Sequence, residues 1–256
     1  MTDDLHLQVR EIAETAGRVL LSLRKDLSAN GIDPKELKDR GDQASQEVLA
    51  AELTRRYPRD AVLSEEAADD SRRLEADRVW IIDPLDGTRE FSEVPRDDWA
   101  VHVALWRRGE LVAGAVTLPA RGVSHTTEPG SASLPSRPAG APFRLAVSRS
   151  RPPAFVTALA DRLGAELVPM GSAGVKAMSV LDGTTDAYVH AGGQYEWDSA
   201  APVAVARAHG LHTSRIDGTE LVYNNPSPWM PDLLVCRPEV AEELLSALQE
   251  MSTGAE

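Results

Sequence analysis

The sequence predicts an α/β protein with an α+β N-terminal lobe and an α/β C-terminal lobe. Three observations support this fold class. Two helical patterns precede several strand-like segments in the first half, strands and helices alternate in the second half, and 42% of the 256 residues are hydrophobic. Alternating strands and helices are typical of βαβ layers, and a chain of this length can bury a sizeable core.

The first half begins with two helices. Apolar residues recur at intervals of three and four over residues 5–23, which predicts an amphipathic helix that ends by Gly31 and Pro34. A second helical pattern, with apolar residues at 48, 49 and 53, stops before Pro58. Strands are then predicted at residues 61–64, 78–82, 100–106 and 111–118, the last two as a hairpin around the turn at 107–110.

A change of pattern separates the two halves. Residues 127–142 are rich in Pro, Ser, Gly and Ala, so they predict a loop between an N-terminal lobe of residues 1–141 and a C-terminal lobe of residues 142–256. In the second lobe, strands are predicted at residues 143–148, 165–169, 186–190 and 233–236, and helices at residues 152–163, 174–181, 199–209 and 240–248.

Charge and cysteine content exclude several classes of protein. The chain carries 27 Lys and Arg against 40 Asp and Glu, a net charge of −13, which repels nucleic-acid polymers and anionic membranes. The single cysteine, Cys236, excludes an intramolecular disulfide and a cysteine-rich zinc site. No signal-peptide pattern and no apolar run of about 18 residues is visible. We therefore expect a soluble, cytoplasmic protein.

Acidic residues follow two strands and open one helix. The strand at 61–64 leads into Glu65 and Glu66, the strand at 78–82 leads into residues 83–88 (DPLDGT), and residues 196–201 (EWDSAA) open a helix. An acid at the carboxyl end of a strand lies where open α/β sheets bind ligands. Pro84 forces a bend, so Asp83 and Asp86 can converge.

Other groups in the DPLDGT segment could also face a ligand. The Leu85 carbonyl is a neutral oxygen ligand, and the amides of Gly87 and Thr88 could bind an oxyanion. Taken singly, each acid has an ordinary structural role, because Asp before Gly is common in turns and Asp198 is a good helix cap. A turn alone does not require two acids, a proline and a glycine within six residues directly after a buried strand.

Electrostatics favours a metal site if these acids converge. Two carboxylates about 4 Å apart repel by about 4 kcal/mol at an effective dielectric near 20. No Lys or Arg adjoining the acidic segments offers an obvious counter-charge. An all-oxygen ligand set suits Mg²⁺ or Mn²⁺ and disfavours zinc.

These motifs resemble the inositol monophosphatase superfamily of lithium-sensitive, magnesium-dependent sugar phosphatases, and the resemblance extends from Asp42 to the last helix. It implies a layered αβαβα fold. Residues 87–91 (GTREF) and 171–176 (GSAGVK) are similar to the CysQ-type branch of 3′(2′),5′-bisphosphate nucleotidases, although typical members have Ser-Ser-Leu-Lys where residues 173–176 are AGVK. That branch removes the 3′-phosphate of 3′-phosphoadenosine 5′-phosphate, giving AMP and phosphate, beside sulfate assimilation.

The resemblance also implies a role for each site residue. Two to three Mg²⁺ ions, for which Mn²⁺ is a substitute, would be held by Glu65, Asp83, the Leu85 carbonyl, Asp86 and Asp198, with Asp42 near a third, weaker site. Thr88 and Asp42 would orient the attacking water, and Glu65 would support it. The small anionic phosphate ester would be bound by Gly87, Thr88, Ser172, Lys176 and Arg89.

Two other readings stay open at this point. A broader phosphatase of the same superfamily would act on inositol 1-phosphate or fructose 1,6-bisphosphate. A non-catalytic regulator would keep the fold and bind a protein partner, but the acids present at all five motif positions argue against lost activity. Relatives are often homodimers, and the sequence shows no interface stripe of its own.

Overall fold

The computed structural model describes residues 2–130, 132–138 and 140–253. Its helices are α1 (Thr2–Ala29), α2 (Pro34–Arg56), α3 (Thr88–Ser92), α4 (Ala154–Leu163), α5 (Ala173–Leu181), α6 (Glu196–Ala208) and α7 (Ala241–Thr253). Its strands are β1 (Ala61–Ser64), β2 (Arg78–Asp86), β3 (Ala100–Arg107), β4 (Glu110–Leu118), β5 (Val123–Thr126), β6 (Arg144–Ser148), β7 (Glu166–Met170), β8 (Ala187–Tyr195), β9 (His212–Ser214) and β10 (Trp229–Cys236).

Every helix and strand predicted from periodicity is present, and three short elements were not predicted. These are α3, β5 and β9, each of five residues or fewer, which is too short for a repeating apolar pattern. Pro34, which was expected only to end the first helix, is also the first residue of α2. The side chain of Asp33 before it accepts hydrogen bonds from the amides of Lys35 and Glu36 and so caps α2.

The strands form two five-stranded sheets. Sheet 1 has the order β1-β2-β3-β4-β5, in which β1 and β2 are parallel and the other pairs are antiparallel. Sheet 2 has the order β7-β6-β8-β10-β9, in which β6 is parallel to both β7 and β8, while β10 is antiparallel to β8 and β9. The sheet of the second half is therefore mixed. Alternation of helix and strand in the sequence does not reveal this, because it does not fix the direction in which the chain re-enters a sheet.

Helices and sheets stack in the order αβαβα. Helices α1 and α2 cover the outer face of sheet 1, α5 and α6 lie between the sheets, and α4 and α7 cover sheet 2. This confirms the layered α/β fold expected from the sequence. Sheet 1 ends at Thr126 and sheet 2 begins at Arg144, but one apolar core joins them, with Val79 of β2, Val203 of α6 and Val235 of β10 all buried in it.

The middle layer places the site. Strands β6, β7 and β8 run in the same direction, so their carboxyl ends lie at one edge of sheet 2, beside the start of α5. The carboxyl end of β2 in sheet 1 is joined to the same region by hydrogen bonds from α5. Among the described helices, none is long and apolar enough to cross a membrane.

Candidate active site

A β-bulge at the end of β2 brings two acids onto one face. Asp83 is paired with His102 of β3 and Asp86 with Ala100, so three steps along β2 match two steps along β3. In a regular strand, residues three apart point to opposite faces, and the extra residue of a bulge cancels that difference. The Ser45 hydroxyl donates to the Pro84 carbonyl at 2.6 Å and ties α2 to this bulge.

Three carboxylates meet at this point. One oxygen of each of Asp83, Asp86 and Asp198 lies within 4.8 Å of the others. Asp83 and Asp86 are 1% and 7% exposed. Asp198 lies in the first turn of α6, where its Oδ2 accepts the Tyr195 amide at 2.6 Å. Asp198 therefore caps the helix and faces the other acids at the same time.

Burial and neighbouring acids raise the pKa of three acids at this site. Burial, then the neighbouring Asp86 and Glu65, raises the pKa of Asp83 well above its ordinary value. Burial and Asp198 raise the pKa of Glu65 to about 7, and burial and Asp86 raise the pKa of Asp198 to about 6. Among the described residues, the possible metal ligands that converge here are carboxylates, and their raised pKa values mean that a cation would be favoured, so these residues fit a hard divalent metal ion.

Asp86 differs from the other acids because it already has donors. Its Oδ2 accepts the Ser172 hydroxyl and the Gly174 amide and lies 3.1 Å from His102 Nε2, while its Oδ1 accepts the Ala173 amide at 3.0 Å. Burial alone would raise the pKa of Asp86, but His102 and further donors outweigh it and hold the pKa below the ordinary value. Oδ1 has a single donor, so it keeps a free lone pair for a metal.

A basic side chain from a distant segment of the sequence lies near Asp86. Lys176, on the first turns of α5, is 8% exposed, lies near that carboxylate and contributes to lowering its pKa. Its Nζ donates to the Ser172 carbonyl at 2.6 Å and lies 5.2 Å from the centre of the Tyr188 ring. Helix packing brings Lys176 to Asp86 from 90 residues away, which is why the local sequence did not reveal it.

Asp42 and Thr88 lie together beside the cluster. Burial and nearby acids raise the pKa of Asp42 to about 7, and a hydrogen bond from Thr88 partly opposes that rise. The single proton of the Thr88 hydroxyl can go either to Asp42 or to the Leu85 carbonyl, which lies 3.2 Å away. Gly41 permits this approach, because a Cβ there would lie 2.7 Å from the ring of Phe91 in α3.

The remaining predicted site residues fall in two places. Gly87 has φ +87°, a conformation that favours glycine, and a Cβ there would lie 3.2 Å from Ser172 Cβ. Ser172 caps α5 with its hydroxyl, which accepts the Val175 amide at 3.0 Å. Arg89 is exposed, forms a 2.9 Å salt bridge with Glu93, and lies outside the lining of the cavity described next.

A cavity of about 670 Å³ opens beside the carboxylates at the carboxyl ends of β6 and β8. Asp86, Asp198, Ser172 and Lys176 line it. Sequence reasoning missed several other lining residues. The adjacent glycines at 192 and 193 could have indicated an unusual strand end close to Asp198, and the structure gives them φ values of +110° and +95°. The missed polar and aromatic residues are Ser148, Ser150, Arg151, Tyr188, His190, Gln194 and Tyr195.

Comparison with known proteins identifies the family. The profile of the inositol monophosphatase family matches residues 5–253. The chain belongs to the inositol monophosphatase family. Among relatives in this family, a 3′-phosphoadenosine 5′-phosphate phosphatase of Mycobacterium tuberculosis is 52% identical over 244 residues, which cover 92% of this chain and 90% of the relative. A 3′(2′),5′-bisphosphate nucleotidase CysQ of Escherichia coli is 28% identical, covering 84% and 92%.

Solved structures of the inositol monophosphatase family share the fold. CysQ from Bacteroides thetaiotaomicron, described as a bacterial member of this family, has a TM-score of 0.79 and 25% identity, with 92% of this chain and 97% of that chain covered. Inositol monophosphatase II from Staphylococcus aureus has a TM-score of 0.82 at 18% identity, with 98% of each chain covered. The family resemblance and the fold class read from the sequence motifs are confirmed.

Proposed function

We propose that the protein hydrolyses the 3′-phosphate of 3′-phosphoadenosine 5′-phosphate (adenosine 3′,5′-bisphosphate) to give AMP and phosphate. The observation that carries this function is the convergence of Asp83, Asp86 and Asp198 at the wall of a large cavity. The mycobacterial phosphatase of that name, 52% identical over nearly the whole chain, supports the choice of substrate. The reaction is then the hydrolysis of a phosphate monoester.

The acidic cluster is proposed to hold two or three Mg²⁺ ions, for which Mn²⁺ could substitute. Asp83, Asp86 and Asp198 would supply one set of oxygens, Glu65, Asp83 and the Leu85 carbonyl a second, and Asp42 would lie near a third site. When bound, such ions neutralise the clustered charge, lower the pKa of water and stabilise the charge that develops on the ester oxygens.

Asp42 and Thr88 are proposed to handle the proton of the attacking water. Thr88 Oγ1 can donate to the Asp42 carboxylate and still accept a hydrogen bond from water. Asp42, in hydrogen-bond reach of Thr88, would accept that proton as a general base. Glu65 would support the same water.

The cavity of this acidic protein contains positively charged side chains that could bind an anionic substrate. The chain has a net charge of −13, yet the proposed substrate carries two phosphates. Lys176 and Arg151 place positive charge in the cavity lining, and Ser172 adds a hydroxyl.

We propose that this enzyme acts in the cytoplasm beside sulfate assimilation, is inhibited by lithium, and forms a homodimer.

A substrate panel tests the proposal. Phosphate release would be measured with Mg²⁺ on adenosine 3′,5′-bisphosphate, inositol 1-phosphate and fructose 1,6-bisphosphate. We expect the largest kcat/KM for the bisphosphonucleotide, and equal or reversed values would reject it as the preferred substrate. Asp83→Asn is the control for contaminating phosphatases, because its activity should be at least about 100-fold lower on all three. Absence of turnover in the unmodified protein would favour the non-catalytic regulator.

A further inference from the structure

A buried carboxylate holds the start of α6. Glu196, the first residue of this helix, is 0% exposed and does not line the cavity beside the acids. Its Oε2 accepts the Asn224 amide at 2.7 Å, and its Oε1 accepts the amide and the side-chain Nδ2 of Asn225, each at 2.8 Å. The helix that carries Asp198 is therefore fixed to residues 224 and 225, which lie in the loop before β10.

A buried arginine holds the same loop. Arg73 lies in the connection from β1 to β2, and its side chain is 1% exposed. Its Nη1 donates to Asn224 Oδ1 at 2.7 Å and its Nη2 to the Asn225 carbonyl at 2.9 Å, while Asn224 Nδ2 donates back to the Arg73 carbonyl at 3.2 Å. The Asp69 carboxylate accepts Nε at 2.6 Å and Nη2 at 3.0 Å. The connection between β1 and β2 is thus bound to residues 224 and 225.

This loop joins two segments that each carry a proposed metal ligand. Glu65 lies eight residues before Arg73, and Asp198 lies two residues after Glu196. Burying a guanidinium and a carboxylate costs desolvation free energy that apolar side chains would not incur. Packing alone could therefore join the two segments more cheaply. A hydrogen-bonded network, by contrast, fixes their relative position with defined distances and directions.

We propose that Arg73, Asn224 and Glu196 are positioning residues, which set the place of Glu65 relative to Asp198. This inference rests on the metal site of the proposed function, which assigns both acids as ligands. Side chains that orient metal ligands without touching the metal typically contribute about 10- to 100-fold to metal affinity or activity. The network is suited to this task because Glu65 follows a strand of sheet 1, whereas Asp198 belongs to a helix between the sheets.

Asn224→Gly separates the two halves of the network. Asn224 has φ +63°, which glycine adopts readily, so the variant keeps the main-chain amide that binds Glu196. It loses two of the three hydrogen bonds between this loop and Arg73, because both involve the Asn224 side chain. The loop then stays on α6, and its hold on the segment that carries Glu65 weakens.

Mn²⁺ binding to the 256-residue chain, followed by the EPR signal of free Mn²⁺, measures the effect without turnover. For Asn224→Gly we expect the Kd of one Mn²⁺ to rise about 10-fold and that of another to stay within about twofold, because Asp198 keeps its position. Glu196→Gln should weaken both, since its amide N–H groups oppose the donors of the loop and loosen the start of α6. If Glu196→Gln does not fold, Arg73→Lys tests the same network, and it should weaken the Mn²⁺ that Asn224→Gly weakens.

A double change distinguishes positioning from a general loss of structure. If Asn224 acts through Glu65, adding Asn224→Gly to Glu65→Gln should lower kcat/KM no further, although each change alone lowers it by about 10-fold or more. Asp186→Asn is the stability control. Asp186 is 1% exposed, accepts the Arg144 amide at 2.8 Å, and precedes β8 at the end opposite the cavity. Its loss should lower the melting temperature and leave the Mn²⁺ affinity unchanged.

Several results would overturn the positioning role. These are an unchanged Mn²⁺ affinity in Asn224→Gly, a further loss when it is added to Glu65→Gln, and an equal loss of affinity in Asp186→Asn. Binding of fewer than two Mn²⁺ ions by the unmodified protein would overturn it together with the metal site. If the unmodified protein bound Mn²⁺ as expected but released no phosphate from adenosine 3′,5′-bisphosphate, the proposed substrate would fail, and a selective loss of Mn²⁺ in Asn224→Gly would still support the network.

Discussion

Replacing Asp198 with asparagine should make the metal-free protein more stable while it disables the proposed metal site. Burial and the neighbouring Asp86 raise the pKa of Asp198 to about 6, from an ordinary value of 3.8. Ionising this group at neutral pH therefore costs the folded state up to about 3 kcal/mol, since one pKa unit corresponds to 1.36 kcal/mol. Asparagine removes that cost and keeps an oxygen that can accept the Tyr195 amide.

The pH dependence follows from the same two pKa values. Above pH 6 the carboxyl is ionised in both the folded and the unfolded protein, so the cost is complete. As the pH falls through 6, the folded protein takes up a proton while the unfolded chain stays ionised, so the cost decreases, and it disappears once the pH is below 3.8 and the unfolded chain is also protonated. The gain from Asp198→Asn should thus be largest at pH 8 and roughly half as large at pH 5.

Thermal unfolding followed by circular dichroism in EDTA measures this gain. About 3 kcal/mol corresponds to an increase of about 6–12 °C in the melting temperature of a chain of this size. Asp161→Asn, an exposed acid on α4, should give no increase. Added Mg²⁺ should raise the melting temperature of the unmodified protein more than that of the variant. A variant that is no more stable than the unmodified protein at pH 8 would refute the reasoning.

Four further outcomes are expected. Asp83→Asn should lower kcat/KM for phosphate release by about 100- to 1,000-fold without lowering the melting temperature in EDTA; activity near that of the unmodified protein would contradict its role. In Gly174→Ala, the new Cβ would lie 2.1 Å from His102 Nε2, so the free energy of unfolding should fall by about 1–3 kcal/mol in urea titrations. Arg149 Nε donates to Glu90 at 2.7 Å, so Glu90→Ala and Arg149→Ala should destabilise less together than the sum of the single changes, and additive losses would show that the pair is uncoupled. Excess Ca²⁺ should inhibit the Mg²⁺-dependent activity, because its coordination is larger and looser.

Local patterns predicted most of the elements and the acids of the site. The apolar spacing over residues 5–23 identified α1, whose Val9, Ile12, Ala16 and Leu20 are fully buried. Residues 83–88 indicated that Asp83 and Asp86 converge, because an acid, a proline and a second acid directly after a buried strand are visible in one short segment. The bulge that accomplishes this convergence depends on the pairing of β2 with β3, so the sequence showed the bend but not its geometry.

Contacts between distant segments escaped prediction. The donors to Asp86 come from β3 and from the start of α5, and nothing near residue 86 in the sequence indicates that His102 and Ser172 will surround it. Strand direction in sheet 2 was hidden for the same reason, because it depends on how β10 returns to β8.

Anomalous diffraction from crystals soaked in Mn²⁺ tests most directly whether the acids share divalent cations. We expect strong peaks within about 2.5 Å of oxygens from Asp83, Asp86 and Asp198, with Asp86 contributing Oδ1. The peaks should be lost in Asp198→Asn at the same Mn²⁺ concentration. A soaked crystal in which the three carboxylates keep their present contacts and no peak lies between them would contradict the metal site.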